Sequence, residues 1–388
     1  MRSALHVINS TDPNHGGTSV SVPALVRATA ATNRYNNLLL QMDRRAISGA
    51  LGQDSRLQTI PQSALGTYAN IVFGGEIDNA VRRSDVIHVH GLWQAHCITT
   101  GLAAKRRRKP LVVSAHGMLE PWALRNKHWK KWIYSLLVER PNLRHAAVLR
   151  ALTRSEACDY RTYGLSNPIV IIPNGVDIPS KTSTSLCYTS WPELRGRQVV
   201  LYLSRIHYKK GIDLLVKAWA TVAQQFTDAH LVIAGPDFEK TRPIIEQLVR
   251  ERSLSNRVTF TGAVFGDVKA SLLNAASVFV LPSHSEGFSI AVLESLAAGV
   301  PVIITKECNF PDVTESESGW VISPDVVQVA GALKEALESP RSDLEARGQR
   351  GMQLVRCKYS WSYIGQQTAD VYDWILGGAR PNSVEILD

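Results

Sequence analysis

Pro282-Ser283-His284-Ser285-Glu286-Gly287-Phe288-Ser289-Ile290-Ala291-Val292-Leu293-Glu294 runs on to Ala297-Ala298-Gly299-Val300-Pro301-Val302-Ile303. The apolar residues from 278 to 282 predict a buried strand, and the spacing of Ile290, Leu293 and Ala297 predicts a helix that begins near Gly287. A strand that turns into a helix N-terminus is the repeating unit of parallel α/β sheets. The backbone N–H groups of Gly287, Phe288, Ser289 and Ile290 would then form an anion site of the kind that suits a diphosphate. Glu286 stands at the lip of that site. Glu294 falls on an otherwise apolar helix face, where a carboxylate wants a partner such as vicinal ribose hydroxyls. Taken alone, the pair also reads as a helix cap and a solvated acid.

Outward from this stretch, short β-branched runs alternate with helical patterns along the chain, as in βαβ units. The length of 388 residues exceeds the about 250–300 that one core supports, so two domains are expected. Their boundary is placed after Pro173-Asn174-Gly175-Val176-Asp177: residues 1–176 and 177–360, with a helix in 361–388 that crosses back to the first domain. With 45% hydrophobic and 20% charged residues, the chain is neither disordered nor collagen-like. Five cysteines without a Cys-x-x-Cys pair argue against a disulfide framework or a zinc knuckle. No apolar run reaches the length of a membrane span and no signal peptide is evident, so a cytoplasmic protein is expected.

The net charge of +9 is unevenly distributed. Residues 1–176 hold 22 Lys and Arg against 10 Asp and Glu, whereas residues 177–388 hold 21 against 24. The basic half calls for an anionic partner: nucleic acid, a membrane surface or a phosphate-bearing substrate. Lys105-Arg106-Arg107-Arg108-Lys109 also suits a helix C-terminus. Trp129, Trp132, Ile133, Leu136 and Leu137 share a helical stripe that packs inward or faces an anionic membrane.

A second constellation, Ser204-Arg205-Ile206-His207-Tyr208-Lys209-Lys210-Gly211, follows the apolar strand 199–203. Its cations Arg205 and Lys210 could hold a diphosphate and the charge that develops as it leaves; a basic surface loop is the alternative. Together with Ala234-Gly235-Pro236, Val258-Thr259-Phe260-Thr261-Gly262 and Pro173-Asn174-Gly175-Val176-Asp177, the two constellations resemble the GT4 (group 1) retaining glycosyltransferases, of the bacterial polysaccharide-building type. The resemblance implies the α/β GT-B fold, two facing Rossmann-like domains with parallel sheets. It implies donor binding by the second domain, with Arg205 and Lys210 on the diphosphate, Glu294 on the ribose, Glu286 on the sugar hydroxyls, and Gly262, Ala263 and Val264 offering backbone to the base. Ser204, Gly16 and Gly17 join the donor set, and His116 is placed at the donor sugar or leaving phosphate. His90, Trp93, Trp129 and Trp132 are assigned to the acceptor side, and His88 to structural support.

No metal is expected, because no third ligand lies at suitable spacing from His88 and His90 and the chain has no Asp-x-Asp triplet. Neither a Gly-x-Gly-x-x-Gly nor a P-loop motif is present. The expectation is therefore metal-independent, retaining transfer of a hexose, with UDP-glucose ranked ahead of a GDP-sugar of the mannose type. The acceptor is a saccharide or lipid-linked saccharide, reached from the cytoplasm or from the inner face of the plasma membrane. Two rivals remain: a GT-B-like nucleotide-sugar epimerase or hydrolase, and a nucleic-acid-binding protein, which would leave Glu286 and Glu294 unexplained.

Overall fold

The β-branched runs form strands that pair in the order of doubly wound sheets. A computed structural model describes residues 1–12, 16–42, 57–60, 75–120, 134–179 and 183–388. It divides into two units, Met1–Gly175 with Trp361–Asp388, and Val176–Ser360. The first unit begins with β1 (Arg2–Ile8), β2 (Tyr35–Gln41), β3 (Leu57–Ile60), β4 (Val86–His90), β5 (Leu111–Ser114), β6 (Val148–Ala151) and β7 (Ile169–Ile171). The second contains β8 (Gln198–Leu203), β9 (Ala229–Ala234), β10 (Val258–Gly262), β11 (Ala276–Leu281), β12 (Val302–Thr305) and β13 (Gly319–Ile322). The chain ends in β14 (Glu385–Leu387).

The second sheet has the order β10-β9-β8-β11-β12-β13, all parallel. The strand order reverses between β8 and β11, and such switch points are where open α/β sheets bind ligands, at the carboxyl ends of the strands. Val199, Val200, Leu201 and Tyr202 of β8 are fully buried, as a central parallel strand covered on both faces requires. Burial of each large apolar side chain contributes about 1.5–3 kcal/mol.

The first sheet runs β14-β7-β6-β5-β4-β1-β2-β3. The sheet is parallel, as expected, up to an edge strand that the sequence did not announce: β14 pairs antiparallel with β7 (Glu385 opposite Ile171). A three-residue strand at the chain end carries too short a pattern to be read beforehand. The helix Trp361–Ile375 belongs to this unit and packs on the helix Gly17–Ala31. The two backbones approach so closely that a Cβ on Gly365 would stand 2.4 Å from the Ala28 carbonyl oxygen. Arg34 pairs with both Asp370 and Asp373, and the Tyr35 hydroxyl donates to Asp373 at 2.6 Å. Of the basic run, Arg106 and Arg107 both bond Asp78, and Arg107 foremost holds the Asp78 carboxyl down at about 2.

Candidate functional site

Both constellations of the second unit are the loops that leave the switch-point strands, Ser204–Gly211 after β8 and Pro282–Ser289 after β11. The loops interlock. His284 N donates to the Lys209 carbonyl at 2.8 Å, and the Ser283 hydroxyl donates to the same oxygen at 3.0 Å. Gly211 has φ +67, and a Cβ there would meet the Pro282 carbonyl oxygen at 1.8 Å. Glycine at this position therefore allows Lys210 to reach across the strand ends. Gly235, at φ +147, similarly leaves room for the Ser204 carbonyl oxygen, 1.8 Å from a Cβ there.

Lys210 Nζ donates to Glu286 Oε1 at 2.6 Å, and the two side chains are only 11% and 8% exposed. Ser283 Oγ donates to the same oxygen at 3.2 Å. The loop beyond is tied down by Glu286 N to the Glu307 carbonyl at 3.0 Å and by Asn309 Nδ2 to the Glu286 carbonyl at 2.7 Å. Arg205 is exposed, and its carbonyl accepts from the Tyr202 hydroxyl at 2.9 Å. A buried ion pair flanked by an exposed guanidinium offers cations to an anion and a carboxylate to hydroxyls.

The helix after Glu286 starts three residues later than expected, spanning Ile290–Ala297 with Ser289 as its N-cap. Gly287 and Phe288 therefore precede the helix instead of opening it, and Phe288 packs its ring on Phe310 and Tyr359. Glu294 is neither solvated nor alone, since Lys269 Nζ donates to its Oε1 at 2.7 Å. Gly262 has φ +72 and accepts from Gly235 N at 2.8 Å. Ala263 is exposed, while Val264 turns into the core, so only its backbone is available to a ligand.

In the first unit, Gly16 and Gly17 are exposed at the start of the helix Gly17–Ala31. His116 follows β5 in a turn at φ +54. Two buried groups hold that turn. Glu156 accepts from Gly117 N and Leu152 N, each at 2.7 Å, and the Tyr160 hydroxyl accepts from Ala115 N at 2.8 Å. Thr153 caps the following helix by accepting from Glu156 N at 3.1 Å, the Thr-x-x-Glu capping pattern that the sequence already carried.

His90, assigned to the acceptor side from sequence, is 2% exposed. Its ring lies between His116 and His6, with His90 Nδ1 3.2 Å from His116 Nε2 and His90 Nε2 3.1 Å from His6 Nδ1. Trp93 is half-buried at φ +66, donating N to Glu139 Oε2 at 3.1 Å and Nε1 to the Met118 carbonyl at 3.4 Å. Burial pushes the Glu139 carboxyl up to about 7. Trp129 and Trp132 lie outside the described residues. Arg150, not singled out from sequence, is fully buried on β6 and donates to the carbonyls of Ile172 at 3.0 Å and Pro173 at 2.7 Å.

The third imidazole that sequence spacing could not supply comes from His6 on β1, and nitrogens of His6, His88 and His90 lie within 4.8 Å of one another. The rings of His88 and His90 stack, 4.1 Å apart at 28°.

Two units, each built on a Rossmann-like sheet, have the architecture of the GT-B glycosyltransferases. Family models match along the chain: the glycosyl transferase 4-like domain over residues 38–175 and glycosyl transferases group 1 over residues 190–352. The chain belongs to the group 1 (GT4) glycosyltransferases. It is similar to the GDP-mannose:cellobiosyl-diphosphopolyprenol alpha-mannosyltransferase of Xanthomonas campestris, 24% identical over 97% of this chain and 98% of that one. Its fold is shared by the Anabaena protein HepE in complex with UDP and glucose, with a TM-score of 0.76 at 18% identity over 96% of this chain and 100% of that one. Sucrose-phosphate synthase of Thermosynechococcus elongatus shares it also, with a TM-score of 0.75 at 21% identity over 98% and 100%.

Proposed function

We propose that the chain transfers a hexose from a nucleotide sugar to a lipid-linked saccharide, with retention of configuration and without a metal. The buried Lys210–Glu286 pair at the ends of the switch-point strands carries this reading. Arg205 and Lys210 receive the diphosphate, and Glu286 meets hydroxyls of the donor sugar once Lys210 turns to phosphate. Glu294 meets the ribose, and His116 the sugar or the leaving phosphate. In same-face attack the departing diphosphate takes the acceptor's proton while the two cations stabilise its charge. This chemistry supplies cations from side chains where other transferases use Mg²⁺, so saturating EDTA is expected to leave transfer unchanged.

The donor order is revised from the sequence expectation. A relative that aligns over nearly its full length uses GDP-mannose, whereas the UDP- and UDP-glucose-bound neighbours share only the fold at 18–19% identity. GDP-mannose is therefore the first donor and UDP-glucose the second. A ligand that binds only the native state raises the melting temperature. A larger upward shift with GDP-mannose than with UDP-glucose at equal concentration is expected, and the reverse order would restore UDP-glucose. The same relative supports a lipid-diphosphate acceptor, which fits the basic charge of residues 1–176, and these would rest on the anionic inner face of the membrane. No helix among the described residues is long and apolar enough to cross a membrane.

A further inference from the structure

The imidazoles of the first unit do more than fill its core. They are linked end to end: His116 Nε2 to His90 Nδ1 at 3.2 Å, His90 Nε2 to His6 Nδ1 at 3.1 Å, and His6 Nε2 to the Tyr372 hydroxyl at 3.4 Å. From Tyr372 the series continues to His88 Nδ1 at 2.6 Å and from His88 Nε2 to Ser114 Oγ at 2.8 Å. His90, His6 and His88 each use Nδ1 on one side and Nε2 on the other, and His116 ends the series through Nε2. His6, His88, His90, Ser114 and Tyr372 are buried, so these atoms have no water to turn to.

We infer that this is one hydrogen-bonded chain with a single direction, and that it fixes which nitrogen of His116 carries the proton. His6 and Tyr372 thereby act as positioning residues for His116. The inference rests on the proposed role of His116 at the donor.

The constraint is one of counting. A neutral imidazole has one N–H donor and one bare nitrogen acceptor, and a hydroxyl donates one proton. If His116 donates to His90, each later member must pass a proton onward, and all four rings carry it on Nε2. If the direction runs from Ser114, all four carry it on Nδ1. His116 then offers its outer Nδ1–H to a phosphate or sugar oxygen without becoming charged. Mixed arrangements set two donors or two acceptors face to face, or leave the Tyr372 hydroxyl proton without an acceptor, in a buried site. Burial foremost keeps these rings neutral, and the Arg150 guanidinium acts in the same direction. Glu156, which holds the His116 turn, does so through its bonds to backbone N–H groups.

Long-range proton–nitrogen spectra of the full chain labelled with ¹⁵N-histidine read the tautomers directly, with the rings assigned by single replacements. The wild type is expected to show His6, His88, His90 and His116 neutral at pH 7.5 and in one shared tautomer. Tyr372→Phe removes only the hydroxyl and cuts the chain in two. A buried orphan N–H is worse than a bare ring nitrogen, so His88 should then hold Nε2–H toward Ser114 while His6, His90 and His116 hold Nδ1–H. Whichever direction the wild type has, one side must change tautomer. Mixed tautomers in the wild type, or an unchanged pattern in Tyr372→Phe, would overturn the inference. The wild-type spectrum alone decides if the variant fails to fold. Unimpaired transfer by a folded His116→Ala would instead remove the proposed role of His116, while the wild-type tautomers would still decide whether the chain has one direction.

Discussion

Lys210→Ala is expected to abolish transfer and to weaken the second unit as well. Removing a group that stabilises charge in the transition state costs about 10²–10³ in kcat. The structure adds a second effect, because Glu286 is 8% exposed and bonds Lys210 at 2.6 Å. Deleting one partner of a buried pair leaves the other charge uncompensated, at about 3–5 kcal/mol. The two losses separate in a double variant, Lys210→Met with Glu286→Leu, since apolar replacement of both partners often restores stability. Denaturant melting should recover in the double variant while transfer stays absent. Near-normal transfer by either variant would contradict the role given to Lys210.

Acid should destabilise the first unit, most steeply below about pH 4.5. Burial holds His6 and His116 down to about 3 and His96 to about 4, and it lowers His88 and His90 strongly in the same direction. In the unfolded chain these rings titrate near the ordinary 6.5, so the unfolded state binds more protons as the pH falls. Stability is fully present above about pH 6.5 and is lost toward pH 3, at up to about 1.4 kcal/mol per pH unit for each ring. Three acids oppose this. Burial raises Glu139 to about 7, Asp159 to about 6, and Glu156 in the same direction, so they favour the folded state as the pH falls toward their ordinary values near 4. Melts recorded between pH 7 and pH 3.5 should therefore decline gently at first and more steeply below about pH 4.5. A flat profile would mean that the rings titrate alike in the folded and unfolded chain.

The strand order explains which parts of this site could be read in advance. Glu286 and Lys210 each stood out from local pattern, as an acid at a strand-to-helix turn and a cation before a glycine. Their pairing did not, because β8 and β11 are neighbours only through the crossover at the switch point. The same holds for Lys269, whose contact with Glu294 spans two elements of the fold. His88 and His90 were legible as one strand face. The ring chain was not, because it needs β1 beside β4, which sets His6 opposite His88, and β5 on the other side, which sets Ser114 opposite His90. Tyr372 comes from the returning C-terminal helix, more than 280 residues from His88, and no sequence spacing could announce it. The later helix start at Ile290 is a boundary effect, since Gly287 and Phe288 serve the loop and the aromatic cluster.

The proposed diphosphate site at the switch point of the second unit can be read by calorimetric titration of the full chain with GDP-mannose and UDP-glucose, for the wild type and for Arg205→Ala. Arg205 is exposed, so its replacement should leave folding intact. Saturable one-to-one binding of one of these donors by the wild type, weakened at least about tenfold in Arg205→Ala (~1.4 kcal/mol), is the predicted result. No binding of either donor by the wild type, or equal binding by the variant, would contradict it.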